Sequence, residues 1–217
     1  CFDRMAPDIS STIAMKHGVT PEVMICRNDT MASMQHIVRT SHGDSTATYQ
    51  EESGDARLNG ETQGKGDVAS IWSVKSHTIL RAHQELHEGL NLPHVSDPTK
   101  AIRKNNDSFV DDTDAGTVKR GTTFEESEQL TVFHAQQSAQ TWSELIDATG
   151  GAIAYHKSDW QIQAWMQGTF PPKMKERSVH TITLRDRYGA KHIINQLDSS
   201  APNKGLGVHI APNGQQQ

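Results

Sequence analysis

The stretch "NNDSFVDDTDAG", Asn105 to Gly116, decides how this chain is read, because it sets two adjacent aspartates directly after a short apolar run. Neighbouring carboxylates repel one another unless a cation lies between them, so the pair is either a solvated turn or half of a metal site. The flanking segments "DSFVDD" and "TDAGTVK" predict a hairpin with Asp111 and Asp112 at or near its tip. Magnesium takes one or two carboxylates together with substrate phosphates, and such a tip suits phosphoryl or nucleotidyl transfer. A calcium loop needs acidic or amide residues at alternate positions ahead of its glycine and an acid at its end. Here Thr113 and Ala115 precede Gly116 and Thr122 stands at the end, so that reading fails. A glycosyltransferase-like Asp-x-Asp, formed by Asp112 and Asp114, stays open on spacing alone.

Upstream of the hairpin, Ile9, Ile13 and Ala14 predict a helix over 7–17, and "TPEVM" restarts one with Thr20 as N-cap and Pro21 in its first turn, running to about His36. "HIVRTSHGDSTATYQ" reads as two short strands around a turn at His42 to Asp44, and 51–66 as a polar, glycine-rich loop. Asp67 then caps a long helix whose apolar positions Val68, Ile71, Trp72, Ile79, Leu86 and Leu90 keep a 3.6-residue period, with Gly89 and Pro93 bounding its far end. "LPHVSDPTKAIRKN" is expected to be a connector. Downstream, 122–149 reads as helix, with Leu130, Phe133, Trp142, Leu145 and Ile146 apolar. Next, Trp160, Ile162, Ala164 and Met166 alternate with glutamines at the period of a strand. "VHTITLRDRYGAKHIINQL" predicts a hairpin turning at Asp186 to Gly189, and "NKGLGVHIAPNGQQQ" a last strand. This order fits an α+β domain with an antiparallel sheet covered by helices on one face.

The 217 residues are enough to bury a core; 34% are hydrophobic and the mean hydropathy is −0.65, which describes a folded but loop-rich chain. No apolar run approaches a membrane span, and the first residues show no basic segment followed by an apolar one, so no membrane partner is expected. Cys1 and Cys26 make neither a disulfide framework nor a zinc set and read as structural. A net charge of −5 argues against a protein given over to wrapping nucleic acid, though it leaves room for an acidic catalytic centre. The opening "CFDRM" looks interior to a domain, which suggests a piece of a longer protein.

Two further motifs bear on chemistry. "HQELHE" sets His83 and His87 four apart on a predicted helix, but Gln84 stands where a zinc protease carries its glutamate. "ETQGKGDVASIWSVKS", Glu61 to Ser76, places Gln63 and Gly64 in a flexible loop ahead of a capped helix, where backbone can approach a planar or phosphate-bearing ligand closely.

Taken in order, "CFDRM", "TQGKGDVASIWS", "SFVDDTD" and "GGAIAYHKSDW" resemble the palm of retroelement reverse transcriptases, RNA-directed DNA polymerases of retrotransposons. The similarity spans nearly the whole chain, as far as "LGVHIAPNG". It implies one α+β palm region over residues 1–217 that uses Mg2+, with Mn2+ as a substitute, for two-metal transfer of dNTPs onto a DNA primer along an RNA template. Phe109 to Asp112 match the family's aromatic-x-Asp-Asp hairpin; Asp111 is the implied metal-binding carboxylate and Asp112 its neighbour with a supporting or second metal role. Gln63 and Gly64 match the block along template and incoming nucleotide. Lys157, after Gly150 and Gly151, matches a lysine implied to neutralise or protonate the leaving pyrophosphate. Phe2 matches an aromatic that packs under the nucleotide sugar, and Asp3 a structural acid. The family's first metal-binding aspartate stands a few residues ahead of the "FD" pair, so the resemblance places it upstream of Cys1 and implies fingers and thumb segments in a parent protein. On that reading the isolated chain is nearly or wholly inactive, either as a piece of an active enzyme or as a degenerate relic. The absent segments would supply much of the basic groove, with Lys65, Lys75 and Arg81 as candidate phosphate contacts here.

Overall fold

The structure, a computed structural model, describes residues 6–34, 37, 39–47, 66–109, 112–166, 168, 170–171, 173–205 and 208–210. The fold is α+β, and the chain divides into two compact units: residues 1–85, 108–113 and 145–152 form one, and 86–107, 114–144 and 153–217 the other.

The first unit is built on three helices, α1 (Pro7–Lys16), α2 (Pro21–Ala32) and α3 (Val68–Leu86), with a short antiparallel ladder of β1 (Arg39–Thr40) and β2 (Gly43–Asp44). Pro7 and Pro21 each open a helix, where the missing N–H would have had no partner. Thr20 holds the N-cap position of α2 but makes no side-chain cap, and α2 stops at Ala32 just past Met31, its last buried anchor, rather than running to His36. The β1–β2 turn is centred on Ser41 and His42, so Gly43 and Asp44 belong to the second strand. Among the described residues, Ala14, Met24, Met31, Val68, Trp72, Ile79 and Ile146 are the buried apolar residues of this unit. The buried stripe of α3 runs Val68, Trp72, Lys75, Ile79, His83, so the helical period is as expected but two of its five positions are polar. Helix α3 ends at Leu86, which is exposed. Counting the period on to Leu90 overshoots, because Gly89 turns the chain at φ 68° and Leu90 opens a strand.

The second unit begins with the hairpin of β3 (Leu90–His94) and β4 (Asp97–Lys104), where a connector was expected. Its pairing pattern carries a bulge at Pro93/His94, consistent with a proline that cannot donate to a ladder. After β5 (Asn106–Phe109) and β6 (Asp112–Ala115) comes α4 (Phe124–Ala148). Thr123 Oγ1 caps the Glu126 N–H at 3.1 Å, and Glu125 and Glu126 complement the helix N-terminus. Val132 of α4 meets Ile162, Ile182, Leu184 and Ile194 in an aliphatic core whose members each contribute roughly 1.5–3 kcal/mol by burial. Leu184 lies in β8 (Thr183–Arg185), which pairs with β9 (Lys191–Ile193) around the predicted turn. The open edge of β8 is covered by α4: Gln136 Oε1 accepts from the Thr183 N–H at 3.1 Å and Gln140 Oε1 from the Arg185 N–H at 2.8 Å. Glutamines four apart on a helix match strand residues two apart in rise.

The alternating stretch from Trp160 is regular strand only in β7 (Asp159–Trp160), which pairs in parallel with β10 (Asn195–Gln196). Beyond it Ile162 is buried and Gln163 exposed as the alternation requires, but Trp165 and Met166 turn outward to pair with Met174 and Lys173. The expected last strand is a hairpin of β11 (Asn203–Gly205) and β12 (Val208–Ile210). Among the described residues the strands form two-stranded ladders rather than one continuous sheet, and no helix is long and apolar enough to cross a membrane.

Candidate metal-binding hairpin

Strands β5 and β6 pair with each other, and only Val110 and Asp111 separate them in sequence. So short a connection joins only antiparallel neighbours. Phe109 therefore ends one strand and Asp112 begins the next, as the acidic-hairpin reading expected. Thr113 Oγ1 donates to Ser108 Oγ at 3.2 Å across the ladder. Asp112 and Asp114 lie two apart on β6 and share a face. The Asp112 carboxylate is exposed and has no cationic partner among the described residues, whereas Asp107 is paired with Lys104. A hard oxygen donor left open at a strand end fits the ligand chemistry of magnesium or manganese.

The base of the hairpin is tied down within the second unit. Asn105 is buried and its Nδ2 donates to the His87 carbonyl at 2.6 Å, while Arg103 Nε donates to the Glu88 carbonyl at 2.8 Å. The Gly116 N–H closes onto the Asn105 carbonyl at 3.0 Å. Gly89 passes so close that a Cβ there would lie 2.5 Å from both Asn105 Cα and the Lys104 carbonyl oxygen, and its φ is also positive, so only glycine fits. Lys119 is ion-paired with Glu88, and this hydrogen bond is the main reason the Glu88 carboxyl sits below its usual range. These anchors were not among the predicted site residues; Gly89 was read only as a helix stop.

Lys157 ends a 3-10 turn, Tyr155–Lys157, and is exposed. The turn is pinned by Tyr155: its hydroxyl meets Ser143 Oγ at 2.7 Å, and its ring stacks on His192 with centroids 4.2 Å apart and planes 3° from parallel. His192 Nε2 lies 2.9 Å from Asp186 Oδ2, and that contact is the first cause holding the Asp186 carboxyl below its ordinary value. Lys157 belongs to the second unit and Phe109 and Asp112 to the first. Gly150 and Gly151 close α4: Gly150 adopts φ 85°, its N–H donates to the Asp147 carbonyl at 2.9 Å, and the Gly151 N–H donates to that of Ile146 at 3.0 Å. This is a Schellman cap, and its positive φ accounts for glycine at 150.

Phe2, Asp3, Gln63, Gly64, Lys65 and Asp111 lie outside the described residues. Of the candidate phosphate contacts, Lys75 is 1% exposed and donates to Ser10 Oγ at 3.0 Å, so it faces the interior of its unit rather than a phosphate. Arg81 is exposed, with Glu85 at 3.7 Å. His83 is buried in α3 while His87 follows its end, so the two do not share a helix face.

No protein-family model matches the chain, and no curated protein or solved structure matches it either.

Proposed function

We propose that this chain is the palm region of an RNA-directed DNA polymerase encoded by a retroelement. The observation that carries the reading is the hairpin: an aromatic-x-Asp-Asp block folds with its aromatic ending one strand and its second aspartate opening the next, exposed and uncompensated. Asp111 and Asp112 would hold Mg2+, or Mn2+ in its place. When bound, the cation supplies charge neutralisation for phosphoryl oxygens during nucleotidyl transfer. Asp112 opens β6, which pairs with β5. The resemblance would make Lys157, exposed at the end of its turn, the proton donor or neutralising cation for a leaving pyrophosphate. Gln63 and Gly64 would lie along the template and incoming dNTP, and Phe2 under its sugar.

The test is RNA-templated extension of a DNA primer by this chain, alone and within any longer protein that carries it, beside the Asp111→Asn variant. Magnesium-dependent incorporation that the variant loses by a factor of about 10²–10³ is expected from the loss of an electrostatic contact of this kind. A folded, longer protein that incorporates nothing overturns the polymerase reading in favour of a relic. Binding of a nucleotide-sugar dependent on both Asp112 and Asp114 would favour the glycosyltransferase instead.

A further inference from the structure

The β8–β9 hairpin carries an arrangement that folding alone does not favour. Arg185 and Lys191 are directly opposed across the ladder, and both are exposed. Like charges placed opposite one another destabilise a strand pair. The nearest acid in sequence, Asp186, does not relieve them, because Oδ1 accepts from the Tyr188 and Ala190 N–H groups at 2.9 Å each and Oδ2 meets His192. Among the described residues, neither Arg185 nor Lys191 has an acidic partner. Tyr188, at the turn between them, is 87% exposed, with the Arg187 guanidinium 6.0 Å from its ring centre. Residues 185–191 carry Arg185, Arg187 and Lys191 against Asp186 alone, in a chain whose net charge is −5.

We infer that this turn is a docking platform for single-stranded nucleic acid, in which Arg185 and Lys191 engage backbone phosphates and Tyr188 stacks against a base. The opposed cations gain an anion where the fold supplies none, and a guanidinium matches phosphate geometry in a planar, bidentate way. The exposed ring beside them decides between partners. Every base offers a π-face to an aromatic platform flanked by cations, whereas an acidic peptide would use the cations and leave the ring without a role. The inference is independent of the acidic hairpin, since no residue is shared and no divalent cation is needed.

The experiment is fluorescence anisotropy of a labelled, mixed-sequence single-stranded RNA with the 217-residue chain, in EDTA, across a salt series. Replacing Arg185 and Lys191 together by glutamine should weaken binding and flatten the dependence of log affinity on log salt by about 1.4, from about 0.7 per lost phosphate contact. Tyr188→Ala should weaken binding about tenfold. Lys191→Glu, which turns a like-charged pair into an opposite one, should raise the melting temperature while abolishing binding; that divergence separates docking from folding. Unchanged affinity in the double variant, no binding at low salt, or equal displacement by a polyglutamate peptide would overturn the inference.

Discussion

The two units solve the problem of an interior in different ways. In the second, five aliphatic side chains meet between α4 and the β8–β9 hairpin, and the polar groups at the edge are glutamines satisfying a strand. In the first, the same α3 stripe that buries Val68, Trp72 and Ile79 also buries Lys75 and His83, while Arg27 of α2 is ion-paired with Asp67 at 2.6 Å. An aliphatic core gains in proportion to area and tolerates no cavity; a polar interior holds only while each buried group keeps its partner. The contrast teaches that one hydrophobic count can describe two unlike interiors.

The largest effect should come from Leu184→Ala. It removes a fully buried side chain from the aliphatic core and is expected to cost about 3 kcal/mol in urea denaturation, with protection from hydrogen exchange lost first over 182–194. A cost under about 1 kcal/mol would mean that the core is not what holds this unit together.

Lys175→Met tests a charged contact in the same unit, the ion pair of Lys175 with the buried Glu128. Burial pushes the Glu128 carboxyl up, but its hydrogen bonds to Lys175 and Ser178, both 2.5 Å, outweigh this and hold it below its usual range. A carboxylate so depressed contributes stability that is present above its unfolded value, near 4.5, and is lost as pH falls through the folded one. Removing Lys175 leaves a buried carboxylate with Ser178 and no adjacent ammonium, for a loss of about 3 kcal/mol at neutral pH or slightly less. The acid limb of the stability curve should also move to higher pH, because burial then dominates. A variant whose acid unfolding coincides with the parent's would show that the pair is incidental.

Asp67→Ala addresses the first unit. The Arg27 side chain is only 6% exposed, but that of Asp67 is 36% exposed, so solvent screens part of the pair and about 1–2 kcal/mol is expected. Exchange should quicken in α2 and at the start of α3 while 182–194 is unchanged. Equal quickening in both segments would erase the distinction between the two interiors.

Much of the outline was legible because local rules govern it. Proline at a helix start, the helical stretch of α4, the β8–β9 turn and the existence of the acidic hairpin all follow from near neighbours. Errors fell where distant residues intervene. Leu90 keeps the helical period of α3, yet the positive φ of Gly89 and its contact with Asn105 turn it into a strand. Lys75 looked like a surface cation because charge predicts exposure; the hydroxyl that receives it, Ser10, stands in α1. At the candidate site, the aromatic-x-Asp-Asp block was visible in a four-residue pattern. Its anchors at Gly89, Asn105 and Arg103 are spread over a hairpin with no pattern of their own.

The sequence by itself determined the α+β composition, the acidic hairpin and the turn at Asp186 to Gly189, because each rests on spacing within a few residues. Only the tertiary structure decided which charges are buried, which strand edges are covered, and that Asp186 turns from Arg185 and Lys191 toward His192. Partner choice among side chains depends on distance in space, and the chain must fold before that distance exists.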